Sequence, residues 1–335
     1  MCSSDLRVNG TTGEVTLDQQ RAVRHDPNAG PDQETSLAAA DLIQLNAVVT
    51  DKDGDTTPAA INLGDAISFK DDAPTLTPTQ PGSDTLQVDE TFLNVDKTVN
   101  FANLFTPAYG ADGAGNVGSY TLTVKSAGVD SGIVDTATGN HVFLVLNNGV
   151  VEGRVAATQA EALRTQVISF TVSVNGATGD VTLDQQRAVL HAPNSGPDQE
   201  TSLAAADLIT LNAVVTDKDG DTAPAAINLG DAISFKDDAP ALTSTQPGND
   251  TLQVDETSLN VDKTVNFANL FTPAYGADGA GNVGSYTLTV KSAGVDSGIV
   301  DTATGNHVFL VLNNGVVEGR VAATQAEAQI GRAHV

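Results

Sequence analysis

Leu208–Pro240 reads LITLNAVVTDKDGDTAPAAINLGDAISFKDDAP, and the alternation within it decides the fold of the chain. Apolar and polar residues alternate from Ile209 to Val215, which is the period of a half-buried β-strand. A tight acidic turn, Asp217–Asp221, separates this run from a second apolar run that ends in the acidic stretch Asp237–Pro240. The stretch therefore predicts two strands joined by an acidic loop and followed by an acidic module end.

The same passage occupies Leu42–Pro74, 166 residues earlier, as part of a longer internal repeat. Val8–Ala162 recurs as Val174–Ala328 with few substitutions. Self-similarity at a fixed spacing indicates a repeat architecture. Each copy is long enough to bury a core of its own, so we expect separate modules that follow one another along the chain.

Two Pro/Thr-rich stretches without periodicity separate the repeats and are typical of linkers. The ends, MCSSDL and QIGRAHV, have no counterpart in the repeat, and we interpret them as foreign segments at the ends of a fragment. The expected domains are a non-native segment (1–7), the C-terminal part of a repeat (8–74), a linker (75–85), a complete repeat (86–240), a second linker (241–251), the N-terminal part of a repeat (252–328) and a non-native segment (329–335).

The pattern inside the complete repeat predicts strands almost throughout. Ile168–Val174 alternates like a half-buried strand, and Asn147-Asn148-Gly149 is typical of a hairpin turn between two apolar runs. Many short strands with turns between them indicate an all-β fold. We therefore expect tandem β-sandwich modules of Ig- or cadherin-like type, and leave open whether each repeat holds one sandwich or two.

The charge of the chain limits its partners. Its 42 acidic and 16 basic residues give a formal net charge of −26. Such a surface repels nucleic acid, and no apolar run is long enough to span a membrane. Acidity of this kind suits divalent cations, although it also serves solubility alone. The single cysteine, Cys2, excludes a disulfide within the chain.

Three carboxylates at alternate positions of the acidic loop form the strongest candidate site. Asp217, Asp219 and Asp221, and their copies Asp51, Asp53 and Asp55, can converge on one hard cation, and Ca²⁺ accepts several oxygens in flexible geometry. The loop lacks the spacing of an EF-hand. The alternative is an ordinary Asp-Gly turn with solvated neighbours.

A second, weaker set of candidates lies where one module ends and the next begins. These carboxylates could share ions across the junction, or they are ordinary charged strand ends, since the linker is long enough to keep them apart. The module ends contribute Asp71, Asp72, Asp237 and Asp238, and the module starts contribute Asp89, Glu90, Asp255 and Glu256.

Catalytic patterns are not found. The histidines His25, His141, His191 and His307 are isolated in sequence and lack the spacing of a zinc site. The Gly-rich stretch 111–116 precedes a strand and has no lysine nearby, so it predicts a hairpin loop. We expect no enzyme.

Several motifs occur together in a fixed order: Leu86–Glu90, Tyr120–Val124, Val215–Asp221 and Ser234–Pro240. Together they resemble a repeat domain of unassigned function from giant bacterial RTX-type adhesins and related type I secreted surface proteins. The resemblance implies an extracellular, calcium-dependent extender module at the cell surface. It places ion binding on Asp217, Asp219, Asp221 and their copies, and it carries over no catalytic residue.

The function expected from the sequence is therefore structural. The repeats would act as calcium-stabilised spacers of a secreted surface protein in cell adhesion or biofilm formation, with neighbouring repeats as their partners. The alternative is a carbohydrate- or protein-binding β-sandwich module, for which an exposed pair such as Phe105 and Tyr109 would be evidence. The Gly-Gly-x-Gly-x-Asp repeats of RTX secretion ends are absent from this sequence.

Overall fold

The computed structural model describes residues 4–25, 30, 32–83, 85–193, 196, 198–249 and 251–330. The fold is all-β, as the sequence predicts, with most elements being short strands. The chain divides into a larger compact unit, Met1–Leu242 with Ala274–Ala280, and a smaller one, Thr243–Pro273 with Gly281–Val335.

The first partial repeat, 8–74, forms three antiparallel pairs: β1 with β2, β3 with β6, and β4 with β5. The acidic loop Asp51–Asp55 joins β4 to β5. The strands are β1 (Ser4–Val8), β2 (Val15–Gln19), β3 (Glu34–Ser36), β4 (Gln44–Thr50), β5 (Thr56–Asn62) and β6 (Ser68–Lys70).

The predicted linker 75–85 and the complete repeat contain the next strands and one short helix. They are β7 (Thr75–Pro78), β8 (Leu86–Asp89), β9 (Lys97–Asn100), β10 (Phe105–Ala108), β11 (Asn116–Val124), β12 (Val129–Val134), β13 (His141–Asn147), β14 (Val150–Ala156), α1 (Gln159–Ala162), β15 (Ile168–Val174), β16 (Asp180–Gln185), β17 (Glu200–Ser202), β18 (Ile209–Thr216), β19 (Thr222–Asn228) and β20 (Ile233–Lys236).

These strands form a six-stranded sheet in the order β12-β13-β14-β15-β16-β9 and two three-stranded sheets, β11-β18-β19 and β17-β20-β8. All pairs are antiparallel except β20 with β8. One connected core joins the sheets, because alternate residues of each strand point inward. Leu122 and Leu211 meet Leu144 and Phe170 in this core, and Phe170 packs against Phe235. The complete repeat therefore has one core.

Part of the predicted linker 75–85 is a strand. β7 pairs antiparallel with β10, and Leu76 is buried against the complete repeat. Thr favours strands, and proline is tolerated because β7 and β10 form only a two-stranded edge. The start of 241–251 is likewise extended, as β21 (Ala241–Ser244).

The second partial repeat contains β22 (Phe271–Ala274), β23 (Val295–Val300), β24 (His307–Asn313), β25 (Val316–Ala322) and α2 (Gln325–Ile330). β23, β24 and β25 form one antiparallel sheet. Residues 282–290, the copy of β11, lie in no strand. The 3₁₀ turns of the described chain are Ala40–Leu42, Gly64–Ala66, Glu90–Phe92, Ala102–Leu104, Ala206–Leu208, Gly230–Ala232, Glu256–Ser258, Ala268–Leu270 and Gly276–Asp278.

The ends predicted to be foreign are described only in part. Ser4–Val8 pairs with Val15–Gln19, and α2 reaches Ile330. Met1–Ser3 and Gly331–Val335 lie outside the described residues. Neither α1 nor α2 has the length or apolar content to cross a membrane, and the described chain holds no other α-helix.

Candidate metal centre

The acidic loop between β18 and β19 is closed by the first of its carboxylates. Asp217 Oδ1 accepts hydrogen bonds from the backbone N–H groups of Gly220 and Asp221, at 3.1 and 2.7 Å. Its other oxygen, Oδ2, is buried and has no hydrogen-bond partner. The loop therefore leaves a buried carboxylate oxygen without a partner at its centre.

Residues from the preceding partial repeat pack against this loop. His25 Nδ1 lies 3.0 Å from Asp71 Oδ1 and 3.9 Å from Asp219 Oδ2, and all three side chains are nearly fully buried. Asp72 Oδ2 accepts a hydrogen bond from the backbone N–H of Ala111 at 3.0 Å. The acidic loop and the module end, which the sequence presents as two separate candidates, thus lie side by side.

We define the first joint centre as His25, Asp71, Asp72, Asp112 and Asp219. Donor atoms of His25, Asp71 and Asp219 lie within 4.8 Å of one another, as do those of Asp71, Asp72 and Asp112. Atoms at such separations can bind one metal ion or two adjacent ones. A cavity of about 420 Å³ opens onto the centre and is lined by Gln20, Arg21, His25, Asp71, Asp72 and Asp112, among others.

The loop 111–116 can approach the first joint centre because glycines occupy positions 110 and 115. A Cβ on Gly110, whose φ is 69°, would collide with the carboxylate of Asp72. A Cβ on Gly115 would collide with the backbone carbonyl of Thr216. Glycine at both positions lets this loop bring Asp112 beside the module end and the acidic loop.

The electrostatics of the first joint centre favour a cation. Burial raises the pKa of Asp112 to about 7, with contributions from a hydrogen bond to Asp72 and the charges of Asp219, Asp72 and Asp71. Burial also raises the pKa of Asp217, and the adjacent carboxylate of Asp219 adds to the effect. Like charges held together in this way raise the affinity for a proton or a metal ion.

His25 is oriented by the backbone. Its Nε2 lies 3.2 Å from the carbonyl oxygen of Phe69. Its Nδ1 is buried and has no hydrogen-bond partner, although Asp71 Oδ1 lies 3.0 Å away, so a bound cation could satisfy both atoms. Hydrogen bonding of the second ring nitrogen to a carbonyl is typical of metal-binding histidines.

A second joint centre, one repeat later, consists of Glu90, His191, Asp237, Asp238 and Asp278. His191 Nε2 lies 3.4 Å from Glu90 Oε1 and 4.0 Å from Asp237 Oδ1. Asp238 Oδ2 accepts a hydrogen bond from the backbone N–H of Ala277 at 3.0 Å, as Asp72 does from Ala111. Four of these residues are repeat copies of His25, Asp71, Asp72 and Asp112.

In the second joint centre the pKa values of Asp278 and His191 are also raised. Burial raises the pKa of Asp278, although the residue as a whole remains exposed, and the charges of Asp237 and Asp238 add to the effect. Burial lowers the pKa of His191, but the adjacent carboxylate of Glu90 and the charge of Asp237 outweigh it, so the net shift is upward. Both shifts are in the direction that neighbouring carboxylates favour.

Glu90 has a structural role as well. Its Oε1 accepts hydrogen bonds from Gln185 Nε2 at 2.6 Å and from the backbone N–H of Val189 at 2.8 Å. Its Oε2 is buried without a partner, like Oδ2 of Asp112 and Oδ1 of Asp238. A buried carboxylate oxygen without a partner is unfavourable, and a bound cation would satisfy it.

The remaining predicted residues lie elsewhere. Asp51, Asp53 and Asp55 have donor atoms within 4.8 Å of one another but are exposed. Asp89 and Asp255 cap 3₁₀ turns by accepting hydrogen bonds from Thr91 and Thr257 N–H groups, so they stabilise local structure instead of the joint centres. Glu256 is exposed.

Sequence reasoning did not include His25, His191, Asp112 and Asp278. The histidines are isolated in sequence, and the loop 111–116 has the composition of a plain hairpin loop. Each residue recurs in the neighbouring repeat, but so does nearly every other residue, so recurrence alone does not single them out. Only the contact between successive repeats brings them together.

Comparison with known proteins identifies one family. Among curated proteins there is no match to this chain. A family model matches residues 5–64, 85–230 and 251–330, which is most of the chain. The chain therefore belongs to the family described as domain of unknown function (DUF5801).

Proposed function

We propose that these repeats are structural extender modules whose joints are stabilised by calcium. The observation that supports this is the composition of the first joint centre, where His25, Asp71 and Asp72 come from one repeat and Asp112 and Asp219 from the next. A ligand bound there holds two successive repeats together. A site of this kind suits a spacer better than a catalyst.

The physical basis is charge neutralisation. Without a cation, the carboxylates of Asp71, Asp72, Asp112 and Asp219 repel one another and favour separation of the two repeats. Ca²⁺ takes six to eight oxygen ligands in flexible geometry, which suits monodentate carboxylates from several loops. Because the ion binds only the assembled joint, it stabilises that state by mass action.

The wider setting rests on the sequence resemblance. Modules of this type would lie in a long secreted protein at the bacterial surface, where they project an adhesive region in cell adhesion or biofilm formation. Extracellular modules bind Ca²⁺ with Kd values of roughly 10⁻⁴–10⁻³ M. Joints tuned to that range would be loose where calcium is scarce and stiff outside the cell.

The alternative, a carbohydrate-binding module, would need an exposed pair of aromatic side chains, and Phe105 and Tyr109 do not form one. Phe105 is buried and packs edge-on against Tyr120, with ring centroids 5.9 Å apart. Tyr109 is half-buried against the same core. The pair that would have served as an exposed stacking surface is therefore part of the module interior.

Thermal unfolding of the whole chain in EDTA and in Ca²⁺ tests the proposal. At 100 times Kd, binding adds about 2.7 kcal/mol, or roughly 5–10 °C in Tm. Asp219→Asn should reduce this increase, because it takes one charge from the first joint centre while the second joint centre is unchanged. Asp53→Asn, the same change in the exposed copy of the loop, is the matched control and should retain the increase. A wild-type Tm that is equal in EDTA and Ca²⁺ would refute calcium stabilisation.

A further inference from the structure

Three side chains of the second joint centre come from a single repeat and converge at one end of a sheet. β20 and β8 pair in parallel register up to the residues that precede Asp237 and Glu90, so these two carboxylates leave the sheet at the same end. The backbone N–H of Val189 donates a hydrogen bond to Glu90 Oε1 at 2.8 Å, which brings His191, two residues later, to the same place. The group therefore forms without contact between repeats.

The imidazole of His191 is buried and faces both carboxylates. Its side chain is 3% exposed, that of Glu90 is fully buried and that of Asp237 is 10% exposed. Nε2 of His191 lies 3.4 Å from Glu90 Oε1 and 4.0 Å from Asp237 Oδ1, yet neither ring nitrogen has a hydrogen-bond partner. Oε2 of Glu90 has none either. Buried polar atoms without partners are unfavourable, and one ion among these donors would satisfy several of them.

The donor types of this group differ from those of a calcium site. Ca²⁺ takes oxygen ligands, whereas imidazole suits Zn²⁺ and other transition metals. One imidazole and two carboxylates are ligands of Zn²⁺, and three protein donors leave the fourth tetrahedral position to water. Ligands at roughly 2.0–2.1 Å from zinc lie about 3.3–3.4 Å from one another. The separation of His191 Nε2 from Glu90 Oε1 meets this condition, and the Asp237 oxygen would have to approach slightly.

We propose that Glu90, His191 and Asp237 bind Zn²⁺ inside one repeat. The same two carboxylates also lie in an oxygen-only group with Asp238 and Asp278, whose donor atoms are within 4.8 Å of one another. A zinc ion would therefore share ligands with the calcium ligands of the joint and fix the position of the repeat end. Zinc binding goes beyond the proposed function and does not require calcium. The three donors are far apart in sequence, which is why no zinc spacing is visible there.

The first joint centre has the same division into two groups. His25, Asp71 and Asp219 supply one imidazole and two carboxylates. Asp71 also belongs to an oxygen-only group, together with Asp72 and Asp112. Nδ1 of His25 is buried without a hydrogen-bond partner, as are the ring nitrogens of its copy. We therefore expect a second zinc ion in the first joint centre and two per chain.

Titration calorimetry of the metal-free whole chain with ZnCl₂ tests the proposal. Excess CaCl₂ occupies oxygen-only sites, and Cys2→Ser removes the thiol as an alternative zinc ligand. We expect two zinc ions per chain. His191→Gln should weaken one of the two sites about 100-fold or more, because residues that only orient a metal ligand already contribute 10–100-fold. His25→Gln should weaken the other site to the same extent.

His141→Gln is the matched control. His141 is an exposed histidine whose Nδ1 lies 2.7 Å from a single carboxylate, that of Asp130. This pair lacks a second carboxylate and burial, so both zinc sites should keep their affinity in the variant.

X-ray absorption spectroscopy of the zinc-loaded chain carrying only Cys2→Ser gives a result that does not depend on the folding of the histidine variants. We expect each zinc ion to have one imidazole nitrogen and otherwise oxygen ligands. Coordination by oxygen alone would overturn the proposal, because it would place the metal on acidic groups without His191 or His25.

The titration can overturn the proposal in two further ways. A chain that binds no zinc in excess calcium would leave His191 as a buried neighbour of Glu90 without a metal. Equal zinc binding by the His25→Gln/His191→Gln double variant would indicate an adventitious ion only. Calcium stabilisation in a chain that binds no zinc would refute this inference alone. Zinc binding by a chain whose Tm is equal in EDTA and Ca²⁺ would support it and refute only calcium stabilisation.

Discussion

The two copies of the acidic loop have the same sequence and the same local geometry. In the first copy, the backbone N–H of Asp55 donates to Asp51 Oδ1 at 2.8 Å. In the second, the backbone N–H of Asp221 donates to Asp217 Oδ1 at 2.7 Å. The turn is therefore encoded locally, since it forms with or without neighbours.

The surroundings of the two loops differ. Asp51 is exposed, and hydrogen bonds from Asp53 and the backbone of Asp55 lower its pKa. Asp217 is buried, and its pKa is raised by burial and by Asp219. The difference arises because His25 and the preceding module end pack against the second loop only. The loop is thus one half of a site, and the adjacent repeat supplies the other half.

The largest expected effect of this dependence on the neighbouring repeat is on the free energy of unfolding, at a core residue. Ile227 in β19 is 1% exposed and its copy Ile61 in β5 is 58% exposed. Ile227→Ala should lower the free energy of unfolding of the complete repeat by about 2–5 kcal/mol, because it leaves a cavity in a packed core. Ile61→Ala should change it by less than about 0.5 kcal/mol.

Urea unfolding at concentrations where the chain is monomeric measures both values. Similar destabilisation by the two variants would show that the partial repeat has a packed core of its own, and the contrast between the copies would then be wrong.

The local half of this structure was predictable from sequence, whereas the contacts between repeats were not. Alternation at Ile209–Val215 predicts β18, and the Asp-x-Asp-Gly-Asp pattern predicts the turn after it. Hydrogen bonds within five residues close the turn, and the alternation shows which face of β18 is buried, whichever strands pair with it. By contrast, Asp112 is more than 100 residues from Asp219 in the chain, and no periodicity relates the two positions.

Repetition itself limited the prediction. Asp53 and Asp219 are copies, so any sequence argument assigns them the same environment. β7 was not predicted for a different reason. Its proline-rich composition is typical of linkers, and Leu76 is the one buried residue of the strand. Burial depends on which repeat lies next to a segment, and that information is not local.

The next largest effect is a pH dependence of stability that arises in the first joint centre and not at the exposed loop Asp51–Asp55. The folded pKa of Asp112 is raised to about 7, above its unfolded value of about 3.9. The folded state therefore binds the extra proton between these values, and stability in EDTA should fall as pH rises from about 4 to about 7. The loss should be on the order of 1 kcal/mol, because Asp112 is only half-buried and solvent screens its charge.

Thermal unfolding in EDTA at pH 5 and pH 8 measures this loss. Asp112→Asn, which mimics the protonated form, should flatten the profile, and Asp53→Asn should leave it as in the wild type. A wild-type Tm that rises between pH 5 and pH 8 would mean that the charges of the first joint centre do not repel one another in the folded state.

The smallest effect concerns how closely the loop 111–116 approaches the module end. Gly110 and Gly113 both have positive φ, at 69° and 94°, so alanine at either position is strained by about 1 kcal/mol. Only at Gly110 would the new Cβ also meet the Asp72 carboxylate; at Gly113 there is open space. Gly110→Ala should therefore destabilise the chain by about 1 kcal/mol more than Gly113→Ala, a difference within the usual range for single destabilising substitutions. It should also displace Asp72 and weaken the stabilisation by Ca²⁺, which Gly113→Ala should leave intact. Equal Ca²⁺ responses in the two variants would show that the position of Asp72 is not needed for the joint, and the loop Asp217–Asp221 would then have to bind the ion without the module end.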